Sequence, residues 1–111
     1  MRDGADEMKP GGSPQAPLTA LIVGAGFAGI GAGVELLKRG LDDFLIVDKA
    51  GGIGGTWWWN TYPGVACDIP AHFYCFSFEP NPDWSRAYPP GEEIRQYIER
   101  TAERRGLLAH I

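Results

Sequence analysis

Between Ala20 and Asp48 the chain reads ALIVGAGFAGIGAGVELLKRGLDDFLIVD. Gly24, Gly26 and Gly29 fall in a G-x-G-x-x-G pattern directly after an apolar run, and a helical pattern starts at once behind them. Few folds accept that order. Ala20 to Val23 is apolar on both faces, which suits a buried parallel strand. Phe27, Ile30, Val34 and Leu37 repeat at helical spacing, and Lys38, Arg39 and Gly40 end the helix with a basic turn and a glycine stop. Phe44 to Val47 is a second apolar strand. Strand, glycine turn, helix, strand is a crossover unit, because parallel neighbours cannot be joined by a tight hairpin.

The spacing also predicts a ligand. Gly24 makes a tight turn, Gly26 lets a pyrophosphate approach bare backbone, and Gly29 lets helix and strand pack closely. The helix N-terminus presents free N–H groups and the positive end of its dipole. Asp48 follows Gly29 by 19 residues, the distance at which an acid accepts hydrogen bonds from an adenosine ribose. NAD and FAD both carry that ribose, so the motif leaves the two open. A carboxylate there disfavours a 2′-phosphate, and the neighbouring Lys49 relieves that only in part.

The rest of the chain is read around this unit. Residues 1–17 are rich in Gly, Pro and charge and read as a disordered leader. Residues 50–91 show no sustained period and read as a long structured excursion. GEEIRQYIERTAERRG is a second amphipathic helix with Ile94, Tyr97, Ile98 and Thr101 on its inner stripe. LLAHI reads as the opening of a third strand. The expected fold is α/β, a partial Rossmann-like domain over residues 18–111 with two to three parallel strands and two helices, incomplete as a fold. Both faces of its strands are expected to be poorly covered.

Several function classes are excluded. The net charge is −4 and no basic cluster suggests nucleic acid. The apolar stretch Ala20–Val34 is too short to span a bilayer, which takes about 18 residues or more, and the acidic segment before it is no signal-peptide start. Cys67 and Cys75 are too few for a disulfide framework and read as reduced thiols in a cytoplasmic protein. Cys67, His72 and Cys75 are irregularly spaced, so no metal site is expected.

A second glycine cluster, Gly51, Gly52, Gly54 and Gly55, leads into Thr56-Trp57-Trp58-Trp59. Bare backbone can lie against a cofactor, and flat aromatics can wall a planar ring system. GGTWWWNTYPGVACD and the following FYCFSFEPNPDWSRAYPPGEEIRQYIERTAERRGL closely resemble the segment after the FAD fingerprint in Baeyer–Villiger and related flavin-containing monooxygenases. The resemblance covers residues 19 to 111. It implies that Gly24, Gly26, Phe27, Ala28 and Gly29 bind the FAD pyrophosphate and that Asp48 binds the ribose, with Lys49 beside it. It places Gly55, Thr56 and Trp57 on the flavin side and Tyr74 against the cofactor. Asp68 would lie near the flavin–nicotinamide contact and orient a catalytic arginine.

Enzymes of that family use NADPH to reduce FAD, and a C4a-peroxyflavin then oxygenates ketones or soft heteroatoms. The resemblance therefore implies an NADPH-dependent flavin monooxygenase with a small-molecule substrate and no nucleic-acid or membrane partner. A second glycine fingerprint for NADPH, the Phe-x-Gly-x-x-x-His-x-x-x-Trp-Pro signature and a candidate catalytic arginine are not found among these 111 residues. The chain accordingly reads as the N-terminal portion of a longer enzyme, with no catalytic residue of its own. Two other readings stay open, an FAD-binding module serving a separate partner and a non-catalytic NAD-binding Rossmann protein. The purified 111-residue chain is expected to consume no NADPH with added FAD beyond the free-flavin rate, measured as absorbance loss at 340 nm.

Overall fold

The computed structural model describes residues 17–111, so the expected leader lies outside the described residues except for Pro17. Strand β1 (Ala20–Val23), helix α1 (Phe27–Lys38) and strand β2 (Phe44–Val47) follow one another as expected. The strands pair in parallel, from Ala20 opposite Phe44 to Val23 opposite Val47. Helix α2 (Thr56–Trp59), helix α3 (Gly91–Arg104) and a short 3₁₀ turn (Leu108–His110) complete the order.

Helix α1 lies close to the sheet because small residues face it. A Cβ at Gly29 would collide with the Gly24 carbonyl oxygen, and one at Gly33 would stand 2.9 Å from Leu107 Cδ2 and 3.0 Å from Ile46 Cδ1. Gly40, at φ +78°, ends the helix, and Leu41 N–H closes back on the Leu36 carbonyl. Helix α3 packs across this unit. Its expected stripe, Ile94, Tyr97, Ile98 and Thr101, is buried, and it meets Ile30, Val34, Ile46 and Leu107 in one core. Glu92 and Glu93 stand in its first turn and Arg104 in its last, the arrangement the helix dipole favours.

Three expectations change. The long excursion contains a helix, α2, over the tryptophan run. The LLAHI segment forms no third strand. Gly106 takes φ +75°, Leu107 turns into the core, and His110 occupies the Phe44 carbonyl through Nδ1 at 3.1 Å while stacking on its ring. A backbone carbonyl held by a side chain is not offered to a strand ladder. Finally, only one strand is poorly covered. Phe44, Leu45 and Ile46 of β2 are buried, while Leu21 and Val23 of β1 remain 59% and 81% exposed on one face.

The excursion is tied down at its far end. Cys67 N–H donates to the Pro89 carbonyl, Gly91 N–H to Val65, and Ala71 N–H to Ala87. Phe76 and Phe78 stack with each other, and Phe76 and Trp84 both lie on Tyr97. The Tyr97 hydroxyl accepts from Phe76 N–H at 2.9 Å and donates to the Glu79 carbonyl at 2.6 Å. Burial pushes this hydroxyl above its ordinary value of 10.0. Tyr97→Phe should lower stability by about 1–3 kcal/mol, because it leaves two backbone groups unpartnered. The folded state favours the neutral hydroxyl, so its contribution is full at neutral pH and is lost as pH rises through the raised value. Urea denaturation across pH 8 to 11 should show this alkaline loss in the wild type and its absence in Tyr97→Phe.

Candidate functional site

The glycine turn leaves β1 at Gly24, which takes φ +112°, and its N–H donates to the Val47 carbonyl at 2.7 Å. Gly26 then caps α1 in an extended conformation with no side-chain bond, and the first turn of the helix carries no acid. The first N–H groups of a helix have no partner within it, so this end is open to an anion, and its own first turn has no acid to repel one.

The second glycine cluster lies directly on the first. Gly54 N–H donates to the Ala25 carbonyl at 3.0 Å. A Cβ at Gly26 would stand 3.2 Å from Gly55 Cα, and one at Gly55 would stand 2.9 Å from Gly26 Cα. A Cβ at Gly55 would not fit against Gly26, and one at Gly26 would be crowded. Gly55 also has φ +57°, a conformation unfavourable for residues with a Cβ. Behind the loop, Gly54 rests on the aliphatic stem of Arg95, with Cγ 2.8 Å from where a Cβ would be. Glu92 at 2.7 Å and Glu99 at 2.6 Å hold that arginine.

Between the clusters lies a cleft of about 280 Å³, lined by Val23, Gly24, Gly26, Phe27, Ala28, Gly29, Gly54, Gly55, Thr56, Trp57 and Tyr74. It therefore gathers every expected site residue except Asp48, Lys49 and Asp68. Val23 and Gly54 were not singled out from the sequence, although Gly54 belongs to the second glycine run. A larger groove of about 660 Å³ runs between residues 79–85 and α3. Its acids are largely engaged with the protein, Glu79 with Arg104 and Arg105, and Glu93 with Ser85. It includes the start of α3, but Glu92 and Glu93 stand in that first turn, whereas the helix end at the smaller cleft has no acid in its first turn, and no glycine lines the larger groove.

The tryptophan run divides three ways, because successive helical residues point about 100° apart. Trp57 is buried and donates its indole N–H to the Tyr74 hydroxyl at 3.2 Å, edge-on to that ring. Trp58 is half-buried and lies over the backbone of Gly51 and Gly52, and an added Cβ at Gly52 would collide with its ring. Trp59 is 55% exposed, with Lys49 Nζ 5.9 Å from its ring centre. Tyr74 meets Phe27 edge-on at 4.9 Å, closing the cleft on the α1 side.

Asp48 stands outside this lining. Its Oδ2 accepts from Ala25 N–H at 2.8 Å and its Oδ1 from Ala50 N–H at 2.9 Å. Asp68 is exposed and is not among the residues that line the cleft. Cys67 and Cys75 are free thiols. Among the described residues no cluster of three or more His, Cys, Asp or Glu could hold a metal, and no helix is long and apolar enough to cross a membrane.

Residues 22–89 match the family described as NAD(P)-binding Rossmann-like domain. The Baeyer–Villiger monooxygenase of Streptomyces coelicolor is 49% identical over 90 residues, which cover 81% of this chain and 17% of that protein. Among solved structures, an oxidized steroid monooxygenase bound to NADP superposes with a TM-score of 0.77 at 38% identity, over 82% of this chain and 18% of the other. A complex of OTEMO with FAD and NADP superposes with a TM-score of 0.77 at 29% identity, over 84% and 18%. This chain thus spans less than a fifth of the length of these relatives.

Gly55→Ala should force the two glycine segments apart and cost about 1–3 kcal/mol, the range for a residue held in a disfavoured backbone region. Gly64→Ala also places a Cβ at positive φ, +86°, but in open space, and should cost less. Urea denaturation of the two variants gives the comparison.

Proposed function

Because the chain belongs to the NAD(P)-binding Rossmann-like domain family, as the counterpart of the amino-terminal FAD/NAD(P)-binding part of Baeyer–Villiger monooxygenases, we propose that its cleft holds FAD for an NADPH-dependent monooxygenase. The observation that carries this reading is the meeting of the two glycine segments beside Trp57 and Tyr74. A dinucleotide fingerprint alone fits NAD as well as FAD. A second bare-backbone segment with an aromatic wall suits a longer cofactor with a large planar end.

The residues fit that group. The N-terminus of α1, which has no side-chain cap, and the backbone at Gly26 would take the pyrophosphate. Gly55, Thr56 and Trp57 would face the flavin half. Trp57 can only donate from its indole nitrogen, so the Tyr74 oxygen accepts and the tyrosine proton is left for an acceptor on the ligand. Asp48 retains lone pairs beyond its two backbone bonds, enough for a ribose hydroxyl. When bound, the flavin supplies the redox chemistry, and the protein orients it and excludes water. Lys49 is exposed beside Trp59 and would border the ribose end. Asp68, exposed here, would act on residues outside these 111. The oxygenated substrate would be a ketone or a soft heteroatom, with NADPH as co-substrate, and the two free thiols suit the cytoplasm.

Equilibrium titration of the chain with FAD, NAD and NADP tests the reading. FAD should bind in preference to both, seen as a change in flavin fluorescence, and preference for NAD would overturn it. Tyr74→Phe should lower FAD affinity by roughly 2- to 12-fold, the equivalent of one neutral hydrogen bond.

A further inference from the structure

From the reach of one carboxylate across two backbone amides, we propose that Asp48 is a positioning residue that sets the relative placement of the two glycine segments, in addition to any contact with a ribose. The carboxylate is half-buried, and both amides it accepts belong to buried residues, Ala25 and Ala50. An ionised carboxylate only accepts, so each bond is charge-assisted.

Ala25 is the hinge of the arrangement. Its residue is fully buried. Its N–H is held by Asp48 and its carbonyl by Gly54 N–H at 3.0 Å. On one side Gly24 N–H is fixed to the Val47 carbonyl, and on the other Gly26 touches Gly55. On the second oxygen, Ala50 N–H starts the chain toward Gly51 and the loop that returns to Gly54. One side chain thereby ties the turn after β1, the end of β2 and the loop before α2. A group that served the ribose alone would need neither backbone bond.

Loss of Asp48 is therefore felt at Gly54, on the flavin side, and not at the adenosine side alone. That functional consequence rests on the reading of the cleft as a cofactor cradle; the positioning itself does not.

Residue-resolved amide hydrogen exchange on the ligand-free 111-residue chain tests the proposal. In Asp48→Ala, exchange at Ala25 and Ala50 should rise by roughly 10- to 150-fold, the equivalent of a hydrogen bond to a charged group. Gly54 should rise with them, while Ile94 and Ile98 in α3 stay as in the wild type. Asp48→Asn keeps one carbonyl acceptor, so it should release one of the two alanine amides and hold the other. Unchanged exchange at Gly54 in both variants would overturn the proposal. Uniform loss of protection through α3 in both would overturn it too, since Asp48 would then support global stability. Because no ligand is present, failure of the chain to bind FAD would refute the cofactor reading and leave this result standing.

Discussion

The approach of Gly26 to Gly55 governs the structure of the cleft. Two stretches of backbone meet with no side chain between them, so close that a Cβ at Gly55 would not fit and one at Gly26 would be crowded. The contact requires glycine at Gly55 and is eased by glycine at Gly26, and the Gly54 to Ala25 hydrogen bond aligns the two segments. Without it the turn after β1 would be a helix cap facing solvent, and the loop before α2 would have no fixed height above the sheet. With it, an anion-receptive helix end and an aromatic wall become sides of one cleft.

The elements behind this contact are its supports. Helix α1 sits tightly on β1 and β2 through Gly29 and Gly33, which fixes the direction in which its N-terminus points. Helix α3 reaches the second loop from the other side. Its Arg95, held between Glu92 and Glu99, lies under Gly54, and a Cβ at its first residue, Gly91, would stand 3.0 Å from the Trp57 ring. The distant Tyr97 anchors the chain that carries Tyr74 and Phe76 back across α1. A site built from loops is thus held by rigid elements on both sides, which is the arrangement that keeps binding groups in register.

Glycine-rich sequence is often taken as flexible, yet here most of the second cluster is committed to close packing. Gly51 and Gly52 make room for the Trp58 ring, Gly54 for Arg95 and the Trp58 backbone, and Gly55 for Gly26. The adjacent tryptophans and glycines explain each other. Large aromatic surface is buried by lying on bare peptide planes, and the three rings diverge because they sit on one helical turn.

Much of this was legible in the sequence because it depends on local rules. Strand apolarity, helical spacing, the glycine turn and the distance to Asp48 are short-range patterns, and the two strands, α1 and the buried stripe of α3 follow from them. The residues Gly24, Gly26, Phe27, Ala28, Gly29, Gly55, Thr56, Trp57 and Tyr74 could be named as candidates, by motif and by resemblance. What sequence could not supply was how separate segments meet. Residues 56–59 are too few for a helical period to show. The LLAHI run has a strand's composition, but Leu107 and His110 find better partners in the core and on Phe44. The acid at Asp48 is evident from its spacing, whereas the direction of its carboxylate toward Ala25 and Ala50 is decided only when β2 is set beside the turn. Local chemistry determined which groups the chain offers; the tertiary approach of bare backbone to bare backbone decided which of them share a site, because contacts between segments 29 residues apart, such as Gly26 and Gly55, leave no periodic trace in sequence.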